Sequence, residues 1–179
     1  MANKRKFEKF YQRHIDKVYR YVFFRVNQNK ETAEDLVSEI FIKALDKFDS
    51  FDKDKGDSAW IMTITRNHLA NHWRDRKPTV SLDQLNDNDQ DNDNLSFQQD
   101  KTFFSKARSF FQKQQDASEL YELLDELDEK DREIVTLHYL SGYNYKEVAK
   151  IKEMSVSAVK VSSHRAIKKI RNNMSLRGV

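Results

Sequence analysis

The chain has 179 residues, a formal net charge of +3, three glycines, one proline and no cysteine. A protein built on tight hairpins needs more glycines and prolines than this, so the composition favours an all-α fold. The absence of cysteine excludes disulfides, thiolate metal sites and cysteine nucleophiles, and it is compatible with a reducing cytoplasm. The basic N-terminus lacks the apolar run of a signal peptide and no segment is apolar enough to span a bilayer, so we expect a cytoplasmic protein without membrane insertion.

Three amphipathic helical patterns fill residues 5 to 77 and predict a first helical domain. The first runs from about Arg5 to Val26, and the second begins near Thr32. One half of the second helix is apolar and carries Leu36, Val37, Ile40, Phe41, Ala44, Leu45 and Phe48. The opposite half collects Asp35, Ser38, Glu39, Ile42, Lys43 and Asp46. An apolar Ile42 among polar residues hints at a contact with another protein, although single exposed apolar residues are common.

The third pattern follows Gly56, with Asp57 or Ser58 as the N-cap, and continues to about Arg76. Its apolar side contains Ile61, Met62, Ile64, Leu69 and Trp73. Its polar side contains Thr63, Arg66, Asn67, Asn71 and Arg74. Asn67, Asn71 and Arg74 form one ridge, and amide, guanidinium and nearby tryptophan groups suit unstacked single-stranded bases. A solvated helix face with a few charge pairs is the alternative interpretation.

Two histidines of the same helix, His68 and His72, have the spacing of a helical metal pair. Leu69 follows His68, so the HExxH motif is absent, and the sequence offers no third ligand. Both histidines lie within the apolar side, which favours packed or half-buried imidazoles. The chain also lacks a glycine-rich phosphate loop, and its acidic pairs are typical of helix caps and linkers. We therefore expect no metal, no cofactor and no catalytic residues.

Residues 78 to 118 predict a linker between two domains. From Pro78 to Asp100 the chain has no lysine or arginine and is rich in Asp, Asn and Gln, a composition that predicts a flexible acidic segment. A long surface loop within one domain is less favoured, because loops of that length are uncommon. An amphipathic helix is predicted near residues 102–113, with one face formed by Phe103, Phe104, Ala107, Phe110 and Phe111. This helix docks either on its own chain or on another protein.

Residues 119 to 172 predict a second small helical domain containing a helix-turn-helix. A first apolar block ends at Gly142, a second runs from about Asn144 to Lys152, and a third starts at Ser155 or Ser157 as N-cap. No acidic residue follows Glu153, so the last helix is basic and suits a phosphate-lined groove. An ordinary helical hairpin with a solvated basic face is the alternative. Since each domain has its own apolar faces, we expect two separate cores.

Both blocks resemble bacterial sigma factors of the extracytoplasmic-function group of the sigma-70 family. The segments DLVSEIF, AWIMTITRN and HWRDRK follow the order of that family's region two, and ELDEKDREIVTLHYLSGYNYKEVAKIKEMSVSAVKVSSHRA resembles its region four. The resemblance implies an all-α, two-domain subunit that binds core RNA polymerase and directs promoter-specific transcription initiation. Such a protein is not itself an enzyme, and an anti-sigma factor is a further candidate partner. A stand-alone helix-turn-helix regulator is the leading alternative, and a metal enzyme using His68 and His72 is a distant one.

The resemblance also implies three binding surfaces. Core polymerase would contact Asp35, Ser38, Glu39, Ile42 and Lys43. The minus-ten element would meet the loop Phe51 to Asp57 and the residues Arg66, Asn67, Asn71 and Arg74. The minus-thirty-five element would meet the recognition helix through Lys160, Val161, His164 and Arg165. A recognition helix of this motif is expected to enter the major groove.

Four residues depart from the family's pattern in the second domain. Asp128 stands where proline is usual and can still cap a helix. Glu153 replaces the usual turn glycine, which should cost about 1–2 kcal/mol if the backbone is left-handed there. Lys152 and Ser163 occupy positions that are usually apolar, so we expect a looser core around them.

Overall fold

The structure, a computed structural model, describes residues 2–51, 56–76 and 117–176. Every regular element in these ranges is helical, which confirms the predicted all-α fold. The helices are α1 (Ala2–Arg25), α2 (Lys30–Asp46), α3 (Asp57–Arg76), α4 (Ala117–Asp125), α5 (Glu129–Val135), α6 (Tyr145–Lys152) and α7 (Val156–Leu176). A 3-10 turn, Phe48–Ser50, follows α2, and a π-helical turn, Thr136–Leu140, continues α5. The predicted acidic linker and the helix near 102–113 lie outside the described residues.

Helices α1, α2 and α3 pack around an apolar centre that the sequence largely predicts. The side chain of Asn29 caps α2 by accepting a hydrogen bond of 2.9 Å from the Thr32 backbone. The predicted apolar half of α2 is buried at Leu36, Val37, Ile40, Phe41 and Ala44. Leu45 differs, because 53% of it remains exposed. Helical periodicity gives the direction of a side chain but not the width of the surface that covers it, so the apolar stripe of α2 extends beyond its buried part.

The helix-turn-helix is formed by α6 and α7, and its caps follow the local sequence signals. Asp128 accepts a 2.8 Å hydrogen bond from the Asp131 backbone at the start of α5, and Ser155 accepts one of 3.1 Å from the Ala158 backbone at the start of α7. Asn144 and Glu147 form a reciprocal capping box on α6. These contacts confirm Asp128 and Ser155 as N-caps. Helix α4 is a separate element that the apolar spacing did not predict.

The turn between α6 and α7 contains the predicted left-handed residue. Glu153 has φ 55° and ψ 39°, which confirms that a residue with a side chain occupies a conformation suited to glycine. We expect Glu153→Gly to raise the free energy of unfolding by about 0.5–1 kcal/mol, because relief of the strain exceeds the added chain entropy. Chemical denaturation measures the change. Glu153→Ala is the matched control: it keeps the strained backbone, so a gain as large as that of glycine would contradict this explanation.

The two polar residues at usually apolar positions have specific partners. The Lys152 ammonium is hydrogen-bonded to the Glu133 carboxylate. The Ser163 hydroxyl lies 3.1 Å from the Tyr139 hydroxyl and 3.3 Å from that of Tyr145. A buried polar group costs little when it is hydrogen-bonded. At Lys152 and Ser163, the C-terminal helices are therefore held together by hydrogen bonds, where the family usually has apolar contacts.

The expectation of two separate cores is wrong for the arrangement seen here. Ile134, Leu137, Tyr143, Val148 and Ile151 belong to the same buried cluster as the apolar residues of α1, α2 and α3. Helix α6 packs on α3, and the π-helical turn packs on α1. A second, smaller cluster joins α4, α5 and α7. Periodicity identified each apolar face, but it carries no information on which element covers that face. The boundaries assigned to the two sequence blocks stay a prediction.

Candidate protein-binding and nucleic-acid-binding surfaces

One side of α2 presents the residues predicted to contact a protein partner. Asp35, Ser38, Glu39, Ile42 and Lys43 are all exposed, and we call these five residues the docking face. Ile42 has 60% of its surface exposed and Leu45, three residues on, has 53%. The structure therefore adds Leu45 to an apolar centre that sequence analysis assigned to Ile42 alone. Its position one turn after Ile42 was the signal that could have shown it.

A buried histidine lies behind the docking face. The His68 imidazole has Nε2 2.8 Å from a carboxylate oxygen of Glu39 and Nδ1 2.7 Å from Nζ of Lys43. Burial and the nearby Lys43 charge lower the pKa of His68 below its ordinary value, against an opposing effect of Glu39. Within the described ranges, no group of three or more His, Cys, Asp or Glu side chains is placed to hold a metal ion. His68 thus serves as a link between α3 and α2.

Two buried histidines, His14 and His68, and the half-buried His138 predict that the fold is sensitive to mild acid. Burial is the largest cause that lowers the pKa of His14, His68 and His138 below the ordinary value of 6.5. An unfolded chain would bind these protons more readily, so stability should fall as pH decreases from about 6.5 towards the lowered values. We expect a smaller free energy of unfolding at about pH 5.5 than at about pH 7.5, measured by urea denaturation. Equal stability at the two pH values would contradict the burial of these neutral imidazoles.

The polar side of α3 divides into two parts. Asn67, Asn71 and Arg74 are exposed along one ridge, as the spacing predicts. Arg66 is half-buried instead: its Nε lies 3.0 Å from a Glu133 carboxylate oxygen, and a terminal nitrogen donates a 3.1 Å hydrogen bond to the Ile151 carbonyl. The structure therefore separates Arg66 from the other three predicted base-contacting residues, because the C-terminal block covers it.

Glu133 is the centre of a charged cluster that sequence analysis did not identify. Its carboxylate contacts Arg66 and Lys152, and the Tyr21 hydroxyl donates to it over 3.3 Å. Burial alone would raise the pKa of Glu133, but the charges of Arg66 and Lys152 outweigh it and hold the pKa below the ordinary value. The carboxylate is thus ionised at neutral pH and joins α5 and α6 to α1 and α3.

A cleft of about 490 Å³ opens beside the predicted base-capturing loop. Phe10, Phe48 and Phe51 form part of its wall, and cationic side chains of α1 line its rim together with Asp49 and Asp57. Phe51 is 5.0 Å from the Trp60 ring and is stacked on Phe48 at 5.7 Å between ring centres. Residues 52–55 of the loop lie outside the described part of the chain. Stacked aromatic rings next to cations are the side chains that bind unstacked bases.

Helix α7 presents the predicted recognition surface. Lys160, Val161 and Arg165 are exposed, and His164 is half-buried. Arg165 Nε is 3.6 Å from a carboxylate oxygen of Asp131, which is buried and also accepts a hydrogen bond from Ser162. Asp131 was not predicted as a site residue, although its place in the first turn of α5 was visible in the sequence. Its carboxylate lies beside the guanidinium end of Arg165, which remains 54% exposed.

A polar contact joins α1 and α3 to the helix-turn-helix. The Lys17 ammonium is 2.9 and 3.1 Å from the two carboxylate oxygens of Glu147, and the Ser58 hydroxyl donates to the same carboxylate over 2.7 Å. Burial would raise the pKa of Glu147, yet the Asn144 backbone N–H, Lys17 and Ser58 lower it by more. Gly56, with φ +82°, passes so close that a Cβ there would lie 3.2 Å from Lys150. We call Lys17, Ser58 and Glu147 the interblock contact.

None of the helices described is both long and apolar enough to cross a membrane.

Comparison with known proteins identifies the family. Residues 10–79 match the family Sigma-70 region 2, and residues 117–170 match Sigma-70, region 4. The ECF RNA polymerase sigma factor SigX of Bacillus subtilis (strain 168) is 27% identical over 170 residues, which are 95% of this chain and 84% of that protein. The two family matches follow the order of the two blocks, and the match to SigX spans nearly the whole chain.

Two solved structures share the fold. CnrH, in complex with the cytosolic domain of CnrY, superposes with a TM-score of 0.59 at 21% identity, covering 97% of this chain and 90% of that one. The sigma factor RpoE of Bartonella quintana, in complex with the anti-sigma factor NepR, has a TM-score of 0.56 at 22% identity, covering 95% and 97%. The two family matches together cover more than half of the sequence, and the ECF RNA polymerase sigma factor EcfG of Rhodopseudomonas palustris (strain TIE-1) is 30% identical over 145 residues, which are 79% of this chain and 71% of that protein. The chain therefore belongs to the extracytoplasmic-function group of the sigma-70 family, whose members direct RNA polymerase to promoters.

Proposed function

We propose that the docking face on α2 is the surface through which this sigma factor binds core RNA polymerase. The observation that carries the assignment is the exposed apolar pair Ile42 and Leu45, bordered by the charges of Asp35, Glu39 and Lys43. Protein interfaces commonly have an apolar centre and a polar rim, and contiguous exposed apolar surface on a soluble domain marks such sites. The buried stripe of α2 points the other way, so a partner can contact this face without unfolding the bundle.

Two further surfaces would read promoter DNA. The ridge of Asn67, Asn71 and Arg74, next to the aromatic wall of Phe51 and Trp60, is suited to capture single-stranded bases of the minus-ten element. Helix α7 would enter the major groove of the minus-thirty-five element with Lys160, Val161, His164 and Arg165. Both assignments rest on exposure, charge and the position of each helix in the family's order.

In this structure the C-terminal helices pack on α1 and α3, an arrangement that we call closed. It constrains how the DNA-reading surfaces are used. Arg66 is bonded to Glu133 and Ile151, so it reaches DNA only after α3 separates from the C-terminal helices. The same separation frees α7 to reach a site upstream of the melted bases. We therefore propose that binding to polymerase is coupled to separation of the two blocks, which breaks the interblock contact.

The cellular role follows from the same assignments. Sigma factors are generally non-enzymatic regulators of transcription, and we propose that this chain has no catalytic activity of its own and acts in the cytoplasm. RpoE of Bartonella quintana is bound by the anti-sigma factor NepR. We propose that an anti-sigma factor likewise binds this chain and competes with polymerase for it.

The docking assignment is tested by charge reversal. We expect Asp35→Lys/Glu39→Lys to weaken binding to core polymerase at least about tenfold, because two rim charges are inverted. Stability should change by about 0.5 kcal/mol at Asp35 and by more at Glu39, whose carboxylate also contacts His68. Binding is measured by fluorescence titration and by run-off transcription with core polymerase. The control, Glu8→Lys/Asp16→Lys, makes the same change of net charge on exposed residues of α1. Unaltered affinity of a folded Asp35→Lys/Glu39→Lys protein would refute the docking face.

A further inference from the structure

Glu39 and Lys43 stand one helical turn apart on the docking face, and such a pair ordinarily forms a direct ion pair on the helix surface. Here both side chains turn instead to His68 of α3. Glu39 Oε2 lies 2.8 Å from His68 Nε2, and Lys43 Nζ lies 2.7 Å from His68 Nδ1. The imidazole is only 7% exposed, whereas Glu39 remains 59% exposed. A buried ring therefore contacts the charged ends of two side chains, and the Glu39 side chain still remains largely exposed to a partner.

The donors and acceptors of this bridge fit one form of the imidazole. A lysine ammonium can only donate, so His68 Nδ1 must accept, and the ring proton must then be on Nε2, towards the carboxylate of Glu39. The Glu39 carboxylate lies at ion-pair distance from His68 Nε2, but the Nε2–H bond does not point at the carboxylate oxygen, so the two groups form no linear hydrogen bond. A doubly protonated imidazolium would place an N–H against the ammonium and destroy the bridge. The bridge therefore exists only while His68 is neutral.

We infer that His68 is a positioning residue for polymerase binding, which holds Glu39 and Lys43 in the separated arrangement that the docking face presents. This inference rests on the proposed docking function of α2. Without His68 the two charged side chains would pair with each other or sample many rotamers, and polymerase would have to order them. Ordering one or two such side chains on binding corresponds to a loss of about 5- to 30-fold in affinity.

The bridge also gives polymerase binding a specific pH dependence. The charged and titratable groups that act on His68 are Glu39 and Lys43 on α2 and His72 on its own helix. Burial is the main cause that lowers the pKa of His68 from 6.5, with Lys43 next. The neutral ring is therefore retained at neutral pH, and the bridge is lost only as pH falls through this lowered pKa, which lies below 6.5. Affinity for polymerase should decrease in the same interval.

Two substitutions test the positioning role in the full-length chain. We expect His68→Ala to weaken binding to core polymerase about 5- to 30-fold at about pH 7.5. His68→Gln should restore most of the affinity, because its amide oxygen can accept from Lys43 and its amide N–H can donate to Glu39. Since glutamine does not titrate, His68→Gln should also lose the part of the low-pH decrease that wild type shows between about pH 7.5 and about pH 5.5. Circular dichroism at each pH confirms that the compared proteins are folded.

The outcomes separate the inference from the function on which it rests. Wild-type affinity in folded His68→Ala, equally weak binding of the glutamine and alanine variants, or parallel pH profiles of wild type and His68→Gln would each overturn the positioning role. If Asp35→Lys/Glu39→Lys weakens binding while His68→Ala does not, the docking face stands and the inference alone fails. If Asp35→Lys/Glu39→Lys binds normally, the docking face fails and the inference fails with it.

Discussion

Glu133→Ala should lower the free energy of unfolding by about 2–3 kcal/mol. Removing one partner of a buried ion pair costs about 3–5 kcal/mol, because the remaining charge loses its compensation. Glu133 has a side chain only 10% exposed and compensates both Arg66 and Lys152, whose side chains are 34% and 19% exposed. Since water reaches part of Arg66, the expected cost lies below the range for a fully buried pair. Urea denaturation measures the difference.

Controls and pH separate charge from shape in this cluster. Glu133→Gln keeps the size of the side chain and an acceptor for Tyr21, so it should lose less stability than Glu133→Ala. Glu129→Ala, at an exposed glutamate of the same helix, should cost about 1 kcal/mol or less. The lowered pKa of Glu133 means that its contribution is complete above about 4.5 and is lost as pH falls below that value. A cost of Glu133→Ala that stays constant down to about pH 3 would show that packing, not charge, explains the effect.

The structure shows which kinds of feature the sequence could predict. The starts of α5 and α7 were predictable because Asp128 and Ser155 cap them through contacts with residues only three positions away. The exposed ridge on α3 was predictable because the spacing of its polar residues fixes their direction. Family resemblance then assigned functions to these surfaces, an assignment that neither spacing nor composition carries.

Features that join distant segments could not be predicted in this way. Arg66 lies on the polar side of α3 and was grouped with the exposed ridge, but Glu133 and Ile151 cover it. Likewise, nothing near Lys17 in the sequence indicates Glu147, and nothing near His68 indicates that it separates Glu39 from Lys43. Each of these contacts depends on how one helix lies on another. A single sequence specifies faces locally, whereas the partner of a face is a property of the assembled fold.

Charge reversal at the interblock contact should separate the C-terminal helices from α1 and α3. Lys17 and Glu147 are partly buried, with side chains 27% and 23% exposed, so they interact more strongly than an exposed pair. Lys17→Glu places two carboxylates next to Ser58, and Glu147→Lys places two ammonium groups there. Loss of the pair plus the new repulsion should shift the equilibrium between closed and open forms at least about tenfold towards open.

The chain suits a direct measurement of this opening, because it contains no cysteine and accepts labels at chosen sites. With Asp46→Cys and Lys168→Cys labelled for energy transfer, both on exposed positions, we expect the single reversals to move the distance distribution to longer values. The swapped variant Lys17→Glu/Glu147→Lys should restore much of the wild-type distribution, since it recreates an ion pair. Lys17→Glu is the cleaner single change, because Glu147 also belongs to the capping box of α6. Unchanged distances in both single variants, or a swapped variant as open as either, would mean that the Lys17–Glu147 pair does not keep the blocks together. Opening should also release Arg66 from Glu133, so the reversed variants are expected to bind core polymerase faster than wild type.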